Sequence, residues 1–362
     1  MLAKPGVATP AEVTPHRARA QRWIRPLSTL TVFSVFALVV LGGVVRVTGS
    51  GLGCPDWPLC HGRVVPPWEL TALIEYSHRL VTSAIVGPLV LLTCGVSWLA
   101  HRQERWLVLP SSLAVVLLVV QALLGGVTVL TELPGPVVAS HLALGQALLG
   151  CLVLVMVVAH RGPLVFSRQI AGVSDKAGVS DKAGVSDKAG VSDAPGVSRT
   201  DRFPTLALIS AGAVYLLILS GSVVTASNAT GACVTWPLCQ GRVFPESLLP
   251  MIHMAHRMTA AVIGAFLLYV LYLGFRDSQK PGELRLLSLV VAVFFGAQVL
   301  VGAFTIWSGF QPPLMALHIS TSALVWALLA GLAALSLTLP GGSPRVFLPM
   351  NGREPRGDIG HD

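Results

Sequence analysis

Four histidines are the residues best placed to do chemistry. His78 and His256 are 178 positions apart (256 − 78), and His141 and His318 are 177 apart (318 − 141). Each lies at or near the start of a long apolar run, where an ionisable side chain is costly and marks function by default. One such histidine reads as a structural residue, but four at matching places in two related halves do not. Zinc would call for further Cys, His or carboxylate ligands, and the H-E-x-x-H pattern is absent. Copper would want Met or Cys partners. Two imidazoles facing each other between apolar helices suit a six-coordinate haem, whose macrocycle also fills a large apolar space. The expectation is one haem per half.

The residues beside these histidines differ in an informative way. Glu75 precedes His78 by three positions, on the same helical face, whereas the corresponding residue of the second half is His253. A carboxylate beside a haem can take protons, orient water or stabilise developing positive charge. Its plainer reading is a charge favoured by the helix N-terminus. The asymmetry suggests one haem that is worked upon and another that relays electrons. Arg79 and Arg257 follow their histidines directly and are candidates to pair with haem propionates, against a reading as interfacial snorkelling. Arg46, Arg63 and Arg242 are weaker candidates of the same kind.

Four cysteines complete the set. Cys54–Cys60 and Cys233–Cys239 both have the pattern C-x5-C around Trp-Pro-Leu, followed by Gly-Arg-Val. Disulfides are the favoured reading, ahead of redox-active thiols and of a metal site, for which C-x5-C is an unusual spacing.

The elements that must carry these residues follow from composition. The chain of 362 residues is 53% hydrophobic and 12% charged, with a mean hydropathy of +0.71, where a soluble domain has about 25% charged residues. A bilayer-spanning helix needs about 20 apolar residues. Eight runs qualify, near 27–46, 77–99, 107–130, 138–160, 204–226, 254–275, 285–307 and 314–338. The expected fold is an all-α membrane protein of eight transmembrane helices, arranged as two four-helix bundles that are parallel repeats of each other. The first run does not read as a cleaved signal peptide: it is long, lacks a small-residue cleavage pattern and is preceded by a 26-residue basic arm. Most of the 25 Lys and Arg residues fall on one side if both termini are cytoplasmic, as the positive-inside rule requires. The four loop cysteines are then on the outer side of the cell membrane. The basic pI of about 9.5 therefore reports topology and calls for no nucleic-acid partner; the partner it implies is the lipid bilayer. The units read as a cytoplasmic arm (1–26), a first four-helix half (27–160), a cytoplasmic linker (161–203), a second half (204–338) and a cytoplasmic tail (339–362). The linker repeats AGVSDK at 171–176, 177–182 and 183–188, and its lack of bulky residues favours disorder.

The combination GGVVRVTGSGLGCPDWPLCHGR, IEYSHR, the Leu-Pro turn before His141 and their second-half repeats resembles the heme A synthase family over residues 27–338. The resemblance implies conversion of heme O to heme A, by oxidising the C8 methyl to a formyl group through two hydroxylations and loss of water. By residue-wise similarity, His78 and His141 would flank the substrate haem iron, with Glu75 as the catalytic acidic group, and His256 and His318 would ligate a permanent heme b. The pair Cys54 and Cys60 would matter more for activity than Cys233 and Cys239. The resemblance also implies a farnesyltransferase that makes heme O as donor, a site open sideways to the membrane, and an electron acceptor, with a quinone as candidate. A homo-oligomer is a further expectation. The rival reading of the same histidines is a bis-haem electron-transfer protein that leaves its haems unaltered.

Overall fold

A computed structural model describes residues 15–164 and 202–338, with side chains from residue 22. The AGVSDK repeats, the first 14 residues and the tail from 339 lie outside the described residues. Among the described residues the chain forms α1 (Pro15–Val47), α2 (Leu70–Val81), a π turn (Thr82–Val86), α3 (Gly87–His101), α4 (Arg105–Leu130) and α5 (Gly135–Arg161). The second half follows with α6 (Phe203–Ala226), α7 (Leu248–Arg276), α8 (Gly282–Trp307) and α9 (Pro312–Ser336). With α2, the π turn and α3 taken as one span, eight helices are long and apolar enough to cross a membrane. Their outward faces carry apolar side chains such as Leu99 (71% exposed), Val262 (68%) and Phe33 (65%), a surface that only lipid can cover. The chain is a multi-pass membrane protein.

Helices α1, α2 and α7 start well before their apolar runs, α7 at Leu248 rather than near 254. Helix α1 begins at Pro15 rather than near 27, because Pro is preorganised for a first helical position and Arg and Ala are good helix formers even when not apolar. Helix α2 begins at Leu70 rather than 77, since its first turns belong to the loop end of the bundle and need no hydrophobic run.

The helices pack in two rings of neighbours. In the first, α1 meets α3, α3 meets α4, α4 meets α5 and α5 returns to α1; in the second, α6, α7, α8 and α9 do the same. Helices α5, α9, α1 and α6 form the seam between the rings. There Tyr215 donates its hydroxyl to the carbonyl of Ala143 (2.9 Å), and Trp326 donates Nε1–H to the carbonyl of Gln146 (2.9 Å). The side-chain rings of Tyr215 and Trp326 lie 5.3 Å apart between centroids, and a Cβ at Gly150 would come within 2.8 Å of the Trp326 ring. Interhelical hydrogen bonds in membranes contribute only about 0.6 kcal/mol each, so close packing at Gly150 carries more of this seam than its polar contacts do.

The π turn has an arithmetic cause. From His78 to His141 the chain advances 63 positions (141 − 78), but from His256 to His318 only 62 (318 − 256). The extra residue is absorbed where the Gly87 N–H bonds to the Thr82 carbonyl, five residues back. Pro88 follows and has no N–H to give, whereas α7 runs as an uninterrupted α-helix through the matching stretch. A π-bulge is the ordinary way for a helix to hold one surplus residue without re-facing the rest. Deleting Ala84 should therefore heal α2 and α3 into one helix and leave a monodisperse protein on size-exclusion chromatography in detergent. Deleting Val262 from α7 has no bulge to consume; it turns half a helix by about 100° and should give aggregate.

Candidate functional site

Each histidine is set against a glycine of a neighbouring helix. A Cβ at Gly42 would lie 3.1 Å from Nε2 of His78, one at Gly125 3.3 Å from Cε1 of His141, one at Gly221 3.1 Å from Cε1 of His256, and one at Gly302 2.9 Å from Cε1 of His318. A side chain at any of these places would overpack the contact, at a cost of about 1–3 kcal/mol. His78 and His141 lie on helices of the first ring, and His256 and His318 on helices of the second. The structure thus brings the four expected histidines together as two pairs, one in each ring.

Residues that sequence reasoning did not single out support these pairs. Gln121 donates to the carbonyl of His141 (2.8 Å), and Gln298 donates to that of His318 (3.0 Å). Ser220 contacts Nδ1 of His256 at 2.8 Å. The glycines and glutamines carried a usable signal: Gly42 and Gly221 are 179 apart, Gly125 and Gly302 are 177 apart, and so are Gln121 and Gln298. These are the offsets of the cysteines and histidines.

The sites fit haem on their own chemistry. Nδ1 of His141 and Nδ1 of His318 are buried and lack a hydrogen-bond partner, a costly state for a polar atom in an apolar bundle. Among the described residues no cluster of three or more His, Cys, Asp or Glu could hold a bare metal ion. Paired imidazoles with glycine facing them, and no carboxylate or thiol bonded to them, match a flat apolar macrocycle with nitrogen ligands.

Above the histidines sit two loops of the same build. Disulfides join Cys54 to Cys60 and Cys233 to Cys239. Cys60 and Arg63 pair across a two-residue turn in which His61 (φ 55°) and Gly62 (φ 69°) are both left-handed, as are Gln240 (φ 51°) and Gly241 (φ 78°) between Cys239 and Arg242. This is the primed turn that suits a tight hairpin. Trp57 lies on α4, where a Cβ at Gly126 would be 2.9 Å from its ring; Trp236 meets Trp307 edge-on at 5.6 Å.

Arg79 and Arg257 hold these loops to the helices. Arg79 donates to the carbonyls of Asp56 (2.7 Å), Leu59 (2.7 Å) and Cys54 (2.8 Å) and to Oε1 of Glu75 (2.5 Å). Arg257 donates to the carbonyls of Thr235 (2.6 Å), Pro237 (3.2 Å) and Cys233 (3.0 Å). The sequence suggested propionate partners; in the structure these guanidiniums face loop carbonyls. Arg46 is exposed in the last turn of α1, and Arg242 pairs with Glu246.

Glu75, only 4% exposed, is fixed at both oxygens. Oε2 accepts the backbone N–H of Cys54 (2.8 Å), and Oε1 accepts from Arg79. In the second half the corresponding His253 donates Nδ1–H to the carbonyl of Ala229 (3.1 Å), and its Nε2 faces Arg257 at 3.4 Å. One slot thus holds an anion in one half and an imidazole in the other, under the same arginine. Both nitrogens of His253 have protein partners, which separates it from His256.

A family model described as cytochrome oxidase assembly protein, COX15-CtaA, matches residues 25–72 and 68–330. The chain is 27% identical to the heme A synthase of Bacillus mycoides (strain KBAB4) over 301 residues, which covers 82% of this chain and 88% of that protein. The heme A synthases of Bacillus cereus (strain AH187) and Bacillus anthracis (strain CDC 684 / NRRL 3495) are also 27% identical, over 318 residues, with 87% and 94% covered.

Two predictions follow from the loops. Arg79→Gln leaves the buried Glu75 without its cation and should cost about 3 kcal/mol, seen as a lower Tm in detergent. Arg257→Gln, with no anion to strand, should cost less. The second concerns Asp56, whose carboxyl is held below the usual range by the N–H of Gly62 and also by that of His61. Its folded pKa is depressed, so its hold on the turn is complete above the unfolded value and is lost as pH falls through the folded one. In the other loop, Thr235 caps Gln240 with a hydroxyl that does not titrate there. Phosphine reduction of Cys54–Cys60 should accelerate relative to Cys233–Cys239 as pH drops below the carboxyl range, read by thiol labelling and mass. Asp56→Asn should flatten that response.

Proposed function

Because the chain belongs to the COX15-CtaA family of cytochrome oxidase assembly proteins, we propose that it is a heme A synthase, an oxidoreductase that converts heme O to heme A for terminal oxidase assembly. The observation that carries the reading is the two histidine pairs, each against glycine and each within one ring. His78 and His141 bind the substrate haem, and His256 and His318 bind heme b. When bound, heme b supplies one-electron transfer.

The substrate's C8 methyl is hydroxylated twice, and the resulting geminal diol loses water to give the formyl group. The electrons removed leave through an acceptor for which a quinone is a candidate. What this chain supplies is position and charge. Glu75 is held one turn from His78 by the Cys54 N–H and by Arg79. Each carboxylate oxygen keeps a further lone pair, so Glu75 can accept a proton released from the methyl, or orient a water, without leaving Arg79. The disulfide loops close the end of the bundle above the histidines and limit water there. The basic residues support cytoplasmic termini with the cysteine loops on the outer side, and heme O arrives from the farnesyltransferase that makes it.

The test is pigment extraction from membranes of a host lacking heme A. This protein is expressed with and without a heme O-forming farnesyltransferase, and the haems are resolved by chromatography and mass. Heme A is expected only when both are present. Glu75→Gln should lower conversion by about 10²-fold or more while leaving heme b bound, and His256→Ala should lose it. Well-folded protein that holds heme b, with heme O unconverted in the presence of an electron acceptor, would establish the bis-haem electron-transfer reading instead.

A further inference from the structure

Ser220 on α6 does for His256 what no side chain does for His78. Its Oγ lies 2.7 Å from the carbonyl of Leu217 and 2.8 Å from Nδ1 of His256. A hydroxyl has one proton, and the Leu217 carbonyl can only accept, so that proton is spent there. The contact with His256 must then run from Nδ1–H to Oγ. The imidazole is fixed as the Nδ1–H tautomer, and Nε2 is left with a free lone pair.

The first half lacks this arrangement. The position corresponding to Ser220 is Leu41 (220 − 179), which can accept nothing, and neither ring nitrogen of His78 has a hydrogen bond among the described residues. The rings are also turned differently against their equivalent glycines. Gly42 faces the Nε2 edge of His78, with Nε2 at 3.1 Å and Cδ2 at 3.6 Å from a built Cβ. Gly221 faces the Cε1 edge of His256 at 3.1 Å, with Nδ1 and Nε2 both at 3.6 Å.

We propose that Ser220 is a positioning residue for the resident haem: it orients His256 through Nδ1 and makes Nε2 a stronger, fixed ligand, while Leu41 leaves His78 free to turn and release. This rests on the reading above that His256 ligates haem. A hydrogen-bond acceptor on the second ring nitrogen raises the basicity of a metal-bound imidazole, and loss of such a partner weakens metal affinity by about 10- to 100-fold. Ferric iron gains more from a basic ligand than ferrous iron, so Ser220 holds the potential of this haem down.

The experiment uses full-length protein carrying His78→Ala and His141→Ala, so that the haem observed is that of the second half. Ser220→Ala should shift the ferric/ferrous preference about tenfold toward ferrous, a rise in midpoint potential of about 59 mV for a one-electron couple. The low-spin EPR g values should change with it, and Ser220→Thr, which keeps the hydroxyl, should restore both. A Ser220→Ala protein with wild-type potential and g values would overturn the proposal. If His256→Ala in the same background keeps its haem and spectrum, the ligand assignment itself fails, and the proposal falls with it by a route the serine variants do not share.

Discussion

Packing imidazole rings between membrane helices demands a place with no side chain opposite. Lipid tails are as apolar as leucine, so helices in a bilayer associate through close contact rather than by escaping water. A histidine pointing inward would prop two helices apart unless its neighbour is glycine. Gly42, Gly125, Gly221 and Gly302 meet that demand, one per imidazole. Gln121 and Gln298 then fasten the helix backbones at His141 and His318. Each ring of helices holds two of these four contacts.

The loop end obeys a second requirement. A loop with many carbonyls facing the bundle needs donors, and a guanidinium offers five in a fixed fork. Arg79 and Arg257 each gather three loop carbonyls, so the helix turn that carries a histidine is the turn that anchors the loop. Loop and histidine cannot move independently. Within this shared frame two carboxylates of the first half are replaced: Glu75 by the imidazole of His253, and Asp56 by the hydroxyl of Thr235. Replacing a charge while keeping its arginine and its loop is a small structural change with a large electrostatic one.

The halves also differ in their helices. The first holds one residue more between its histidines and stores it as a π turn directly below His78, while α7 is continuous below His256. There the ladder changes from i→i−4 to i→i−5 bonds. The second half lacks this change, and its histidine has the additional hold of Ser220.

Much of this was legible in the sequence. The charged fraction and the apolar runs required eight spans, because a backbone in lipid must satisfy its own hydrogen bonds. The offsets of 177 to 179 related the two halves residue by residue. They also picked out the four histidines and the Glu75/His253 exchange. Three things needed the tertiary structure. Arg79 and Arg257, adjacent to the histidines in sequence, turn to loop carbonyls some 20 residues away, because their positions on the helix face the loop. The glycines repeat at the histidine and cysteine offsets, but that each faces an imidazole is seen only when a ring from another helix lies against it. Ser220 reads as one more serine in an apolar run, and becomes a partner of His256 only when α6 and α7 are side by side. Periodicity and repetition are written along the chain, whereas contacts between helices tens of residues apart depend on how the bundle closes.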